Sequence, residues 1–196
     1  MVNADGRRFY DEGEDLWPKR YAIWGRNVAG QPGQIAYSLW DAKVNERFLP
    51  PMFGPATAPD IPALVGLLGL DPAAVAATAA TVKEYNAAVR PGAFDPSRLD
   101  DCATEGLDPP KSHWALPLDT PPYYGIALRP GITFTYLGVR ADSSARVLDA
   151  GGRPIGRVFA AGEIMSGNIL SSGYLAGFGV TIGHVWGRIA GEAAAS

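Results

Sequence analysis

Gly179, Gly183, Gly187 and Gly191 recur every four residues. On a helix that spacing makes one face without side chains. Each glycine costs roughly 1 kcal/mol of helix propensity relative to alanine. A helix carrying all four needs a compensating contact, such as close approach of a strand, another helix or a flat ligand. In a bilayer this spacing suggests helix dimerisation, but the same segment carries His184, Arg188 and Glu192. The stripe therefore reads as a buried helix packed closely on a sheet. Just ahead lies Gly173-Tyr174-Leu175-Ala176-Gly177-Phe178-Gly179, which permits close backbone approach and unusual dihedrals. The first turn of the helix offers unpaired N–H groups and the positive end of its dipole. That combination suits an anion or an electron-rich carbonyl.

The 196 residues suffice for one domain, or a small domain plus part of another. A net charge of -3 gives no case for nucleic acid or a membrane surface. Cys102 is the single cysteine, which excludes an internal disulfide and a thiolate metal cluster. It reads as a plain small residue. His113 and His184 lack the spacing of a metal pair, and no metal is expected. No G-x-S-x-G elbow supports a hydrolase. No apolar run is long enough to span a membrane, and the N-terminus is polar, so the default compartment is the cytoplasm.

Asp5-Gly6 marks a turn, and irregular aromatic-rich chain follows to residue 32. Gln34 to Asp41 alternates as a strand does. Four prolines between 50 and 59 mark a loop. Asp60 caps a short helix, and Asp71-Pro72 opens a longer one that Pro91-Gly92 ends. Residues 92–122 are too long for an ordinary connection and suggest a functional or docking loop. Ile132 to Val139 is strand-like, Arg146 to Asp149 with Gly151-Gly152 suggests a hairpin, and Val158 to Ala161 has the character of a buried strand.

Phe159-Ala160-Ala161-Gly162-Glu163-Ile164-Met165-Ser166-Gly167-Asn168, Gly173-Tyr174-Leu175-Ala176-Gly177 and Gly187-Arg188-Ile189-Ala190-Gly191 follow in order. Together they resemble the C-terminal signature of the fumarate reductase and succinate dehydrogenase flavoprotein superfamily, and within it the FAD-dependent tricarballylate dehydrogenases most closely. Asn3 to Phe9 with Asp11-Glu12, Tyr85-Asn86, Gly92 to Asp95, Pro110 to Ser112 and Arg129 to Tyr136 agree in order. The resemblance implies an α+β chain. Residues 1–128 would be a substrate-capping segment, and 129–196 the C-terminal strands and helix of an FAD-binding α/β domain. No G-x-G-x-x-G follows an early strand. The expectation is a fragment, a truncated reading frame, or a chain completed by a separate N-terminal FAD-binding half or by homo-oligomerisation.

The cofactor implied is FAD. Glu163 matches the glutamate that contacts its ribityl part, and Ala176, Gly177, Gly179 and Val180 would bring backbone to the ring. Dicarboxylate-reducing relatives clamp carboxylates with arginines and histidines. Here Tyr174 replaces the arginine ahead of the last helix, and the expected histidine is replaced within Thr133-Phe134-Thr135. These departures argue against a plain fumarate reductase; ketosteroid dehydrogenases of the superfamily also place a tyrosine near Tyr174. For the cap arginine that donates a proton, Arg20 is the first match and Arg26 the second. The resemblance thus implies Arg20, Tyr174 and Arg129 as catalytic, with Thr133, Thr135 and Tyr136 facing substrate.

Two functions follow. One is hydride transfer between flavin and a small polycarboxylate, tricarballylate- or fumarate-like, with a ketosteroid-type substrate as the alternative. The other is a non-catalytic binding module without FAD.

Overall fold

The computed structural model describes residues 1–170 and 173–196. The chain divides into two units: Met1–Trp17 with Trp24–Pro130, and Pro18–Ile23 with Gly131–Ser196.

The first unit is built on an antiparallel sheet in the order β1-β2-β6-β3. Its strands are β1 (Val2–Asn3), β2 (Ala36–Asp41), β3 (Ala56–Ala58) and β6 (Tyr123–Leu128). β2 and β6 pair from Ala36 opposite Leu128 to Asp41 opposite Tyr123. In chain order, helix α1 (Trp17–Arg20), of which Pro18–Arg20 belong to the second unit, and helix α2 (Trp24–Ala29) precede β2. Two further helices begin where an aspartate precedes a proline-bearing first turn. In α3 (Ile61–Leu67) the Asp60 carboxylate accepts from Ala63 N at 2.8 Å, and in α4 (Pro72–Ala88) Asp71 accepts from Ala74 N at 2.9 Å. These bonds satisfy N–H groups that no helical carbonyl reaches. Leu64 and Val65 of α3 are fully buried.

The Asp5-Gly6 turn packs on α4. Gly6 has φ 73°, and a Cβ there would lie 2.6 Å from the Ala74 carbonyl oxygen, so glycine is required. The long 92–122 segment holds β5 (Ala103–Thr104), paired with β4 (Val89–Arg90). Side-chain acceptors fix the remainder. Asn86 exchanges two 2.8 Å bonds with Leu118, Asp41 accepts from Asp119 N and Thr120 N, and Asp11 accepts from Ser112 N.

The second unit has a two-stranded hairpin, β7 (Arg146–Leu148) and β8 (Pro154–Phe159), a 3-10 segment at Glu163–Asn168, and helix α5 (Phe178–Ala195). Val147, Ala160, Met165 and Ile182 form its core. Two expectations fail here. Ile132–Val139 forms no strand, because its backbone bonds to the 3-10 segment instead of a ladder. Val139 N donates to Ile164 O at 2.9 Å, and the Ser166 hydroxyl donates to Thr135 O at 2.9 Å. The Val158 strand is not buried: β8 is exposed until Phe159, with Val158 at 50%.

Candidate functional site

The second unit gathers most of the residues singled out from sequence. Pro18–Ile23 belongs to it, which brings Arg20 into the same unit as Thr133, Thr135, Tyr136, Glu163, Tyr174 and the start of α5. Ala176 N donates to Pro18 O at 3.3 Å. Arg129 lies in the first unit, where its guanidinium donates to Gly33 O at 3.0 Å. Arg26, in α2, is exposed in that unit as well.

Glu163 opens the 3-10 segment just after Gly162, whose φ of 84° permits the sharp change of direction. One oxygen of its carboxylate accepts from Thr135 N at 2.8 Å and from the Thr135 hydroxyl at 3.0 Å. The other accepts no hydrogen bond among the described residues. The carboxylate is therefore fixed in direction, exposed, and still able to accept from a hydroxyl. Close backbone contacts hold this arrangement: a Cβ on Gly138 would collide with the Ile164 carbonyl, and one on Gly167 with that of Tyr136.

Ahead of α5, Gly177 is left-handed at φ 82°, with open space where a Cβ would stand. Ala176 and Val180 are exposed beside it. A flat group can thus approach this backbone without meeting a side chain at Gly177. Gly179 is different. A Cβ there would lie 2.8 Å from the Phe134 ring and 3.1 Å from the Tyr174 hydroxyl.

Four aromatic rings meet at that point. Phe134 packs on Tyr174 with centroids 4.9 Å apart and on Tyr136 at 5.9 Å, and Tyr21 meets Tyr174 edge-on at 6.0 Å. Gly179 N donates to the Tyr174 oxygen at 3.2 Å, and the Tyr136 hydroxyl donates to Gly173 O. Burial pushes the Tyr21 phenol above its ordinary range, and the neighbouring Tyr174, with which it hydrogen bonds, and Tyr136 add to the shift. Thr133 is exposed beside the cluster.

Sequence reasoning picked out Tyr174 and the Thr133-Phe134-Thr135 stretch as departures from a carboxylate clamp but missed Tyr21. Its signal was an aromatic next to Arg20 in a stretch with no periodicity. His113 and His184 bond to backbone carbonyls, of Asp100 and Val180 respectively, and no group suited to a metal ion occurs among the described residues. No helix among them is long and apolar enough to cross a membrane.

A directed carboxylate at Glu163 and bare backbone at Gly177 fit the hydroxyl-bearing chain and ring edge of a flavin. The chain is 32% identical to a probable fumarate reductase of Shewanella frigidimarina (strain NCIMB 400) over all of its own length and 30% of the relative's. It matches the open conformation of a flavocytochrome c3 fumarate reductase with a TM-score of 0.68 and 29% identity, covering 99% of this chain and 32% of that one. A 3-ketosteroid-delta4-(5alpha)-dehydrogenase from Rhodococcus jostii RHA1 matches with a TM-score of 0.60 and 25% identity, covering 100% and 38%. The chain thus spans about a third of such proteins. The FAD binding domain family matches residues 1–180, and the chain belongs to that family of FAD-dependent flavoproteins.

Proposed function

We propose that this chain supplies the substrate-binding elements and the flavin-ring side of an FAD-dependent oxidoreductase acting on a carbon–carbon bond beside a carbonyl. Bound FAD supplies the two-electron exchange. Glu163 holds ribityl hydroxyls, and Ala176, Gly177, Gly179 and Val180 give backbone approach to the ring. Residues 1–128 act as the cap and 129–196 as the return into the FAD domain. A cytoplasmic setting and a separate N-terminal half, or a second copy, complete this reading.

The observation that carries it is the cluster of Tyr21, Phe134, Tyr136 and Tyr174. Tyr174 stands where one arginine of a dicarboxylate clamp was expected, and the expected histidine is replaced within Thr133-Phe134-Thr135. A guanidinium or imidazolium would bind carboxylate; phenols and a phenyl ring suit a neutral carbonyl attached to an apolar body. In this reading Tyr174 donates to the substrate carbonyl oxygen. Tyr21, edge-on to Tyr174 and hydrogen bonded to it, polarises it as a donor. In the reducing direction Arg20 is the candidate donor of the second proton, with Thr133 and Thr135 at the substrate's edge. The favoured substrate is a cyclic ketone, ketosteroid-like.

A second reading, a small polycarboxylate such as tricarballylate or fumarate, draws on Arg20 lying in the same unit as Tyr174 and on the fumarate reductase likeness. Anaerobic mixing of FAD-loaded protein with a saturated 3-ketosteroid or with tricarballylate separates the two. Bleaching of the flavin band by the steroid, lost in Tyr174→Phe, supports the first. Bleaching by tricarballylate alone supports the second. A protein that takes up no FAD would be a non-catalytic module.

A further inference from the structure

The first unit holds an open slot of about 310 Å³ walled by Trp17, Val44, Phe94 and Trp114, with Arg47 at its side. That volume lies at the lower end of small-molecule pockets, roughly 300–1,000 Å³. The Trp114 wall is fixed. Its backbone takes a positive φ of 55°, and its N–H donates to the Asp100 carboxylate at 2.7 Å. Its indole N–H donates to the carbonyls of Asp95 and Arg98, each at 2.9 Å. A non-glycine residue held there stores strain that the surroundings must offset, and such strain concentrates where a side chain is being aimed. With its polar edge bonded, the ring offers only apolar surface to the slot.

Arg47 stands 5.5 Å over the Phe94 ring and pairs with no carboxylate among the described residues. A guanidinium stacked on an aromatic wall keeps its fork free for a planar anion.

We propose that this slot is a ligand site for a hydrophobic carboxylate of one or two rings, its ring between Trp114 and Phe94 and its carboxylate on Arg47. The combination decides the class: the walls exclude a small polar acid, and the guanidinium favours the acid over a neutral analogue. The proposal does not rest on the flavin reading, since none of these residues belongs to the second unit.

The test is equilibrium dialysis of the whole chain against 2-naphthoate and 2-naphthylmethanol. The expected result is saturable uptake of one 2-naphthoate. The alcohol should bind about tenfold more weakly. Arg47→Ala, an exposed change whose folding circular dichroism checks, should weaken the acid about tenfold and leave the alcohol unchanged. Trp17→Ala should weaken both. No saturable uptake would overturn the proposal, as would an acid affinity indifferent to Arg47→Ala. Equal affinity for acid and alcohol would also overturn it.

Discussion

The two units differ in how far each satisfies itself. In the first, Leu64, Val65 and Thr78 are fully buried, and charged side chains are stitched to loops from far along the chain. In the second, an eighteen-residue helix buries Ile182 alone, and β8 leaves Ile155 and Val158 about half exposed. Gly183, Gly187 and Gly191 meet nothing where a Cβ would stand. The same hydrophobic effect acts on both. The stripe and the apolar faces beside it are suited to a surface that the described residues do not provide. The first unit also leaves Leu49, Met52, Phe53 and Leu67 exposed, so the contrast lies in the interiors: several fully buried side chains in one, and α5 burying Ile182 alone in the other.

The largest effect that would break this comparison is a core truncation. Leu64→Ala should cost about 3 kcal/mol of the first unit's stability, by lost burial plus a cavity. Val180→Ala, at a 66% exposed position on α5, should stay within about 0.5 kcal/mol. Urea unfolding of both variants checks this, and equal losses would mean α5 is covered.

Next comes acid. Burial would raise the Glu12 carboxyl, but the chain-start ammonium, Lys111 and Arg8 outweigh it and bring it down to about 2, from an ordinary value of 4.5. A folded-state value below the unfolded one means stabilisation that is full above pH 4.5 and is lost as pH falls toward 2. The loss should reach up to about 3 kcal/mol, and Glu12→Gln should flatten that part of the stability curve. An unchanged acid limb would remove Glu12 from the first unit's support.

Asp71→Ala removes the N-cap of α4 and should cost about 1 kcal/mol, read by thermal unfolding. The smallest effect has the opposite sign. Gly187→Ala should stabilise the isolated chain by about 0.5–1 kcal/mol, because the helix gains propensity and nothing is struck. A loss would show that the stripe is already packed.

The same division governs what was legible in the sequence. The caps at Asp60 and Asp71 and the start of α5 depend on residues within a turn of one another, and the sequence carries them openly. The motif also singled out Glu163 and the glycines around Gly177, whose local geometry follows from near neighbours in the chain. The coil at Ile132–Val139 was not legible: its bonding partners lie in the Glu163–Asn168 segment, and β-branched composition alone favours a strand. Tyr21 was hidden for the same reason, since Phe134 and Tyr174, which give it meaning, lie far along the chain. The exposure of β8 follows from what lies beside it, which no local pattern encodes.

The most direct test is backbone hydrogen exchange of the whole chain with and without saturating FAD, read by peptide. The account predicts added protection at residues 162–168 and 174–180, and none in Ile61–Ala88 of the first unit. Protection confined to the first unit, or none at 162–168 and 174–180, would contradict the flavin site.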